Sequence, residues 1–273
     1  MTLARRTLLT LPLLSLARPA AAASVELEGK LIQGGLVVGR SGAGSRVQLD
    51  GGDIAVDDDG VFLLGFGRDA APTAKLVVVD SAGIAEIHHL AIAQRAYDIQ
   101  RIDGLPQNKV EPDRKELERI AAEQKRLDAA KARDTRTPFF LAGFAWPAIG
   151  PISGVYGSQR ILNGQPRRPH FGVDIAAPEG TPLEAPCGGI VSLADPDLFF
   201  TGGTLLIDHG YGLASIFAHM RRVSVKEGDV LATGDMVGEL GATGRVTGPH
   251  LHWGLYLFKL PLDPQLLVPP MPA

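Results

Sequence analysis

The 273-residue chain carries 27 basic and 30 acidic side chains, a formal charge of −3, 45% hydrophobic residues and one cysteine. That balance excludes the strongly basic surface of a nucleic-acid binder, and a single thiol excludes both an internal disulfide framework and a Cys-rich zinc ribbon. The length is enough for two modest cores.

Residues 1–23 begin with a basic stretch, continue through an apolar run from Leu8 to Leu16 and end in Ala21-Ala22-Ala23. This is the pattern of a cleaved export signal, and the run is too short to span a bilayer. Arg5-Arg6 followed by Thr7-Leu8-Leu9 resembles a twin-arginine signal, so a periplasmic or otherwise exported location is expected. Losing this segment removes three arginines and no acid, which deepens the acidic excess. Nothing after it is long and apolar enough for a membrane span, and no lipid-bearing cysteine follows the signal.

Residues 24–104 alternate short apolar or β-branched runs (RVQL, DIAV, VFLLGF, KLVVV) with GG, DDDG, APT and SAG turns. A mainly β chain is predicted, opening with a small antiparallel β-sandwich. Asp57, Asp58 and Asp59 before Gly60 read as a tight turn, since no EF-hand glutamate follows at the required spacing. His88 and His89 are adjacent on a predicted strand and so face opposite ways. This half has no catalytic cluster and reads as a spacing, docking or regulatory module; occlusion of the functional groove by it is one expectation.

A helical linker is expected within 105–138. Pro112 suits a first turn, good helix formers follow to about Asp134, and Leu117, Ile120, Ala121, Gln124 and Leu127 mark a thin apolar face. Residues 139–273 return to glycine turns and short strands, predicting antiparallel sheets around a groove. Arg167, Arg168, Arg221 and Arg222 are candidates to line that groove and meet carboxylates. Asp195 and Asp197 read as turn residues, His209 as a structural histidine at a strand end, and Cys187 as a small buried apolar residue.

The chemistry concentrates in PHFGVD (His170, Asp174), FAHM (His219) and GPHLHWG (His250, His252). Strand side chains alternate with period two, so His250 and His252 project from one face. Imidazole with carboxylate is the donor mixture of catalytic zinc, where three protein groups leave one position for water. These five residues supply more than three such groups.

Together with Trp146-Pro147, Gly154–Gly157, Ala177–Pro182, Asp208–Gly210, Val225–Asp229 and Gly241–Gly244, these motifs make the stretch from about Phe144 to Tyr256 resemble the LytM/lysostaphin-like zinc endopeptidases that cut peptide cross-links of bacterial peptidoglycan. The resemblance implies one zinc held by His170, Asp174 and His252, and a catalytic pair of His219 and His250. Zinc would supply an activated water; His250 would orient or deprotonate it, and His219 would steady the oxyanion or protonate the departing amine. No HExxH helix supplies a glutamate base. The tyrosine that some members carry ahead of the first zinc histidine is missing from ILNGQPRRPH, which points toward Gram-negative cross-links rather than glycine bridges. Two other classes are weighed: a non-catalytic LytM-like regulator that activates a cell-wall amidase, which would show gaps at the ligand positions, and a carrier or sugar-transfer β-domain, for which the histidine set has no use. Peptidoglycan cross-link peptides are the expected partner, with any regulatory protein partner unknown.

Overall fold

The computed structural model describes residues 25–104 and 111–272; the expected export signal lies outside the described residues. The N-terminal strands are β1 (Glu26–Gly29), β2 (Leu36–Arg40), β3 (Arg46–Leu49), β4 (Gly52–Ile54), β5 (Val61–Gly65), β6 (Thr73–Val79) and β7 (Ala85–Ala91). They form two antiparallel sheets, β1-β2-β5 and β4-β3-β6-β7. Val37, Phe62 and Leu64 of the first meet Val47, Leu76, Val78 and Leu90 of the second in one apolar core. This is the small sandwich the alternating runs predict. The Asp57 turn is also as read: its Oδ1 accepts the backbone N–H groups of Asp59 and Val61, and its other oxygen receives the Tyr211 hydroxyl from the C-terminal half.

Strand β8 (Ile99–Ile102) leaves the sandwich and pairs in parallel with β10 (Gln159–Leu162) of the C-terminal half, after β9 (Ile152–Gly154). Helix α1 (Arg114–Lys131) lies between them in sequence. Its N-cap is Asp113, whose side chain accepts from Glu116 N–H while the Glu116 carboxylate accepts from Asp113 N–H, a reciprocal capping box. Pro112 therefore precedes the cap instead of occupying the first turn. Of the expected face, Ile120, Gln124 and Leu127 do turn toward Leu198, Ile216 and Tyr256, while Leu117 and Ala121 do not. Leu117 is exposed, whereas Leu127 and Ala130 pack against Leu193, Leu198, Leu206 and Ile216.

The remaining strands are β11 (Gln165–Pro166), β12 (Val173–Ala176), β13 (Pro182–Glu184), β14 (Gly189–Leu198), β15 (Gly202–Gly210), β16 (Leu213–Val223), β17 (Val230–Leu231), β18 (Met236–Leu240), β19 (His250–Leu257) and β20 (Leu260–Leu262). Most join one ten-stranded network whose main path runs β17-β14-β15-β16-β19-β12-β9, a continuous sheet where separate sheets were expected. Asp195 and Asp197 sit on the bulged end of β14, not in a turn, and there they receive Arg126 (2.8 Å) and Arg119 (3.2 Å) from α1. Cys187 is fully buried, as its apolar surroundings predict.

The two halves are packed together. Leu36, Val61 and Leu63 share a core with Tyr211, Leu213, Leu255 and Leu262. Arg95 pairs with the buried Asp263 at 2.7 Å, and Arg68 Nε donates to the Gly157 carbonyl at 2.6 Å.

Candidate metal centre

Three neighbouring strands carry the site, and their apolar faces set its register. On β12, Val173 and Ile175 enter the core while Asp174 faces the other way; on β19, Leu251 and Trp253 enter it and His250 and His252 face away. Asp174 lies directly opposite His252, and His252 directly opposite Ala218 of β16. Opposed residues share a face, so a row of positions crosses the sheet.

Regular alternation would put His219 on the wrong side of that row, next to Ala218. Instead the alternation slips. Phe217 and Met220 both enter the core although three residues apart, because β16 bulges between its pairings with Leu205 and Gly203. His219 absorbs the extra residue at a left-handed φ of 67°, uncommon for a side chain with a Cβ. Its N–H donates to the Thr201 carbonyl at 2.7 Å, and its ring lies 4.9 Å from that of His250 and 6.3 Å from that of His252.

His170 Nε2, Asp174 Oδ1 and His252 Nδ1 stand 2.9 Å from one another. Among the described residues this is the one cluster of three such donors. His170 Nδ1 faces the Val155 carbonyl at 3.1 Å. A carbonyl only accepts, so Nδ1 of neutral His170 carries the hydrogen and Nε2 presents a lone pair. With His252 Nδ1 also freed of its hydrogen, the three groups would aim lone pairs at one point, and a cation between them would turn their mutual repulsion into attraction. Tetrahedral zinc at about 2.0–2.1 Å needs donors roughly 3.3 Å apart, close to the triangle observed. The residues present fit such an ion.

The surroundings hold each donor in place. Burial alone would raise the Asp174 carboxyl, but the His170 and His252 nitrogens against it prevail and keep it ionised, well below the usual carboxylate range. Its Oδ2 accepts from the Arg160 guanidinium at 2.8 Å, and Gln100 of β8 in turn lies 3.3 Å from Arg160 Nε. Two glycines make room. A Cβ on Gly154 would stand 2.3 Å from Asp174 Oδ2, and one on Gly172 would stand 2.6 Å from the His252 ring.

His219 and His250 are oriented in the same manner as His170. His219 Nδ1 donates to the Thr243 carbonyl and His250 Nδ1 to the Gly248 carbonyl, both at 2.9 Å, leaving each Nε2 free to take a proton. His250 Nε2 points toward the donor triangle, 3.9 Å from Asp174 Oδ1. Burial holds His219 down to about 3 and His170 to about 4, so both are neutral at neutral pH.

Cavities open on both sides of these groups. One is lined by Gln100 of β8 together with Arg160, Asp174, His219, Arg245 and His250; the other by Leu127 and Lys131 of α1 together with Phe200, His252 and Tyr256. Strand β8 thus walls one cavity and helix α1 the other. His209 stays away from both: buried, it bonds the Gly188 carbonyl and the Ser215 hydroxyl at 2.7 and 2.8 Å, the structural part its sequence context suggests. Of the four arginines expected in the groove, Arg167 is half-buried with its N–H on the Arg160 carbonyl, Arg168 is exposed, and Arg221 and Arg222 are exposed beside Glu239. Arg160 and Arg245, which the sequence reading passes over, line the cavity instead.

Residues 168–264 match the profile of Peptidase family M23. This stretch is an M23 peptidase domain. It is similar to the DD-carboxypeptidase/endopeptidase Mpg of Neisseria meningitidis, 36% identical over 105 residues covering 38% of this chain and 24% of the relative. It is also similar to the peptidoglycan DD-endopeptidase ShyA of Vibrio cholerae, 36% identical over 95 residues covering 35% of this chain and 22% of the relative. These matches span under a quarter of the length of either relative. A crystallised M23 peptidase candidate from Pseudomonas aeruginosa matches more broadly, with a TM-score of 0.66 and 28% identity over 87% of this chain and 95% of its own. The M23 domain therefore occurs there with an N-terminal part of similar extent.

Proposed function

We propose that the chain is an exported zinc metalloendopeptidase that hydrolyses peptide cross-links of bacterial peptidoglycan. The observation that carries this reading is the triangle of His170, Asp174 and His252 with the bare Nε2 atoms of His219 and His250 beside it. All five positions of the donor and base set are filled, which supports an enzyme over an amidase-activating regulator. The names of the M23 relatives support peptidoglycan as substrate.

His170, Asp174 and His252 would hold one zinc ion, which when bound polarises a scissile carbonyl and brings the pKa of a water toward about 7. His250 is the base. Its Nε2 is turned toward the donor triangle, and its side chain retains some exposure through which a proton can leave. His219 is the more buried of the pair and resists charge, so it accepts a hydrogen bond from the attacking water or the substrate N–H. It steadies an oxyanion or donates to the departing amine only after taking up a proton, since its own hydrogen is committed to Thr243. Arg160 aims the Asp174 carboxylate by donating to its Oδ2.

Mass spectrometry of purified sacculi digested with the wild-type chain should show cross-linked muropeptides converted to uncross-linked ones. His250→Ala should lower turnover at least ~100-fold with zinc retained. Near-normal turnover by that variant would remove the role given to His250, and unchanged sacculi after wild-type digestion would remove the peptidase reading.

A further inference from the structure

The turn between β9 and β10, residues 155–158, frames one of the three metal donors. Its Val155 carbonyl accepts from His170 Nδ1 at 3.1 Å, and the Ser158 hydroxyl donates to that same carbonyl at 3.0 Å. Gly157 N–H donates to the His170 carbonyl at 2.7 Å, and His170 N–H donates to the Ser158 carbonyl at 2.8 Å. Both the backbone and the ring of His170 are therefore placed by this turn, and a shift of the turn moves Nε2 relative to Asp174 and His252.

The other side of the turn is held by the N-terminal half. Arg68, on the loop after β5, donates from Nε to the Gly157 carbonyl at 2.6 Å, and its guanidinium lies 4.5 Å over the Tyr97 ring. Its Nη1 meets Asp69 at 2.6 Å, so the charge is matched locally and the turn receives a directed N–H. Tyr97 covers Gly157 closely. A Cβ at that position, where φ is 86°, would stand 2.1 Å from the Tyr97 ring. Tyr97 also meets the buried Tyr156 edge-on, with ring centres 6.4 Å apart. Gly157 is thus fixed from both sides, by His170 within the C-terminal half and by Arg68 and Tyr97 from outside it. The hydrogen bond of Tyr211 to Asp57 likewise joins the two halves, but neither residue touches a metal donor.

We propose that Arg68 is a positioning residue for the metal centre: by holding the 155–158 turn it keeps His170 in register with Asp174 and His252, so that the N-terminal half tightens a site whose donors all belong to the C-terminal half. The inference rests on the metal-centre reading and gives the sandwich a part in it. Arg68 lies outside the sandwich's apolar core, so substitutions in that core leave the contact in place.

The test measures zinc affinity of the full chain by competition with a chromophoric chelator, with urea unfolding of each metal-free variant alongside. Methionine and glutamine are close in size, and glutamine alone returns an N–H donor at the place of Arg68 Nε. Arg68→Met should weaken zinc binding about ten-fold, and Arg68→Gln should recover most of that loss. Tyr97→Leu loosens the cover over the same turn and should weaken zinc binding in the same direction; it decides the matter if Arg68→Met does not fold. Tyr211→Phe should lower the urea midpoint with zinc affinity unchanged. Wild-type affinity in Arg68→Met, equal weakening in Arg68→Met and Arg68→Gln, or equal weakening in Tyr211→Phe overturns the proposal while the metal-centre reading stands. A wild-type chain that binds no zinc removes that reading and the proposal with it.

Discussion

The core of the N-terminal sandwich is apolar throughout, built from Val37, Phe62, Leu64, Leu76 and Leu90, with Gln33 and Ser45 as the buried polar side chains of that half. The large C-terminal sheet buries more apolar groups, yet it also encloses His170, Asp174, Asp208, His209, Ser215 and His219. Those polar groups come with partners. Trp253 Nε1 donates to Ser215, Ser215 to His209 and His209 to the Gly188 carbonyl, while Thr135 donates to Asp208. The sandwich depends on volume and pattern. The site half depends in addition on directed hydrogen bonds, each of which costs more to leave unmade than it contributes when made. Substitutions in the first should therefore lower stability alone, and changes of protonation should act on the second.

The largest stability effect expected from a single change lies in the sandwich. Leu76→Ala removes a fully buried side chain and should cost about 3 kcal/mol in denaturant unfolding while leaving metal content at the wild-type level. Loss of metal in that variant would mean that the two halves are not separable in this way. An effect of similar size should follow from pH in the other half. Burial holds His209 down to about 4, whereas in the unfolded chain it takes up its proton near 6.5. Its contribution is intact above pH 6.5 and is lost as pH falls toward 4, because the unfolded state binds the proton first; roughly 3 kcal/mol is involved. Because burial holds His170 and His219 down in the same sense, urea midpoints should fall between pH 7 and pH 4 and fall less steeply in His209→Gln; an equal fall in that variant would mean that His209 is charged or exposed. The smallest effect should come from the linker, where Asp113→Ala removes the helix cap and costs about 1 kcal/mol.

What the sequence made legible follows from periodicity. Alternation placed His250 and His252 on one face, turn residues marked the Asp57 hairpin and the sandwich strands, and the motif spacing pointed to the five residues that the fold gathers. What stayed hidden depends on long-range register. Nothing local shows that His219 sits on a bulge with a left-handed φ, since that follows from Phe217 and Met220 both entering the core. The pairing of β8 with β10, which brings Gln100 to Arg160, crosses more than fifty residues of chain. The expected face of α1 holds at Ile120, Gln124 and Leu127 and fails at Leu117 and Ala121, and Glu123 and Arg119 join it through hydrogen bonds to Phe199 and Asp197, which no hydrophobic pattern reveals. Arg160 and Arg245 lay in polar segments indistinguishable by composition from the exposed Arg221 and Arg222.

The claim beneath all of this is that lone pairs of His170, Asp174 and His252 converge on a single cation. Elemental analysis of the purified full chain after incubation with zinc and removal of the excess tests it directly, with His252→Ala and His250→Ala alongside. Near-stoichiometric zinc in the wild type and in His250→Ala, with little in His252→Ala, is the predicted result; a wild-type chain that retains no metal, or a His252→Ala chain that retains as much as the wild type, would contradict it.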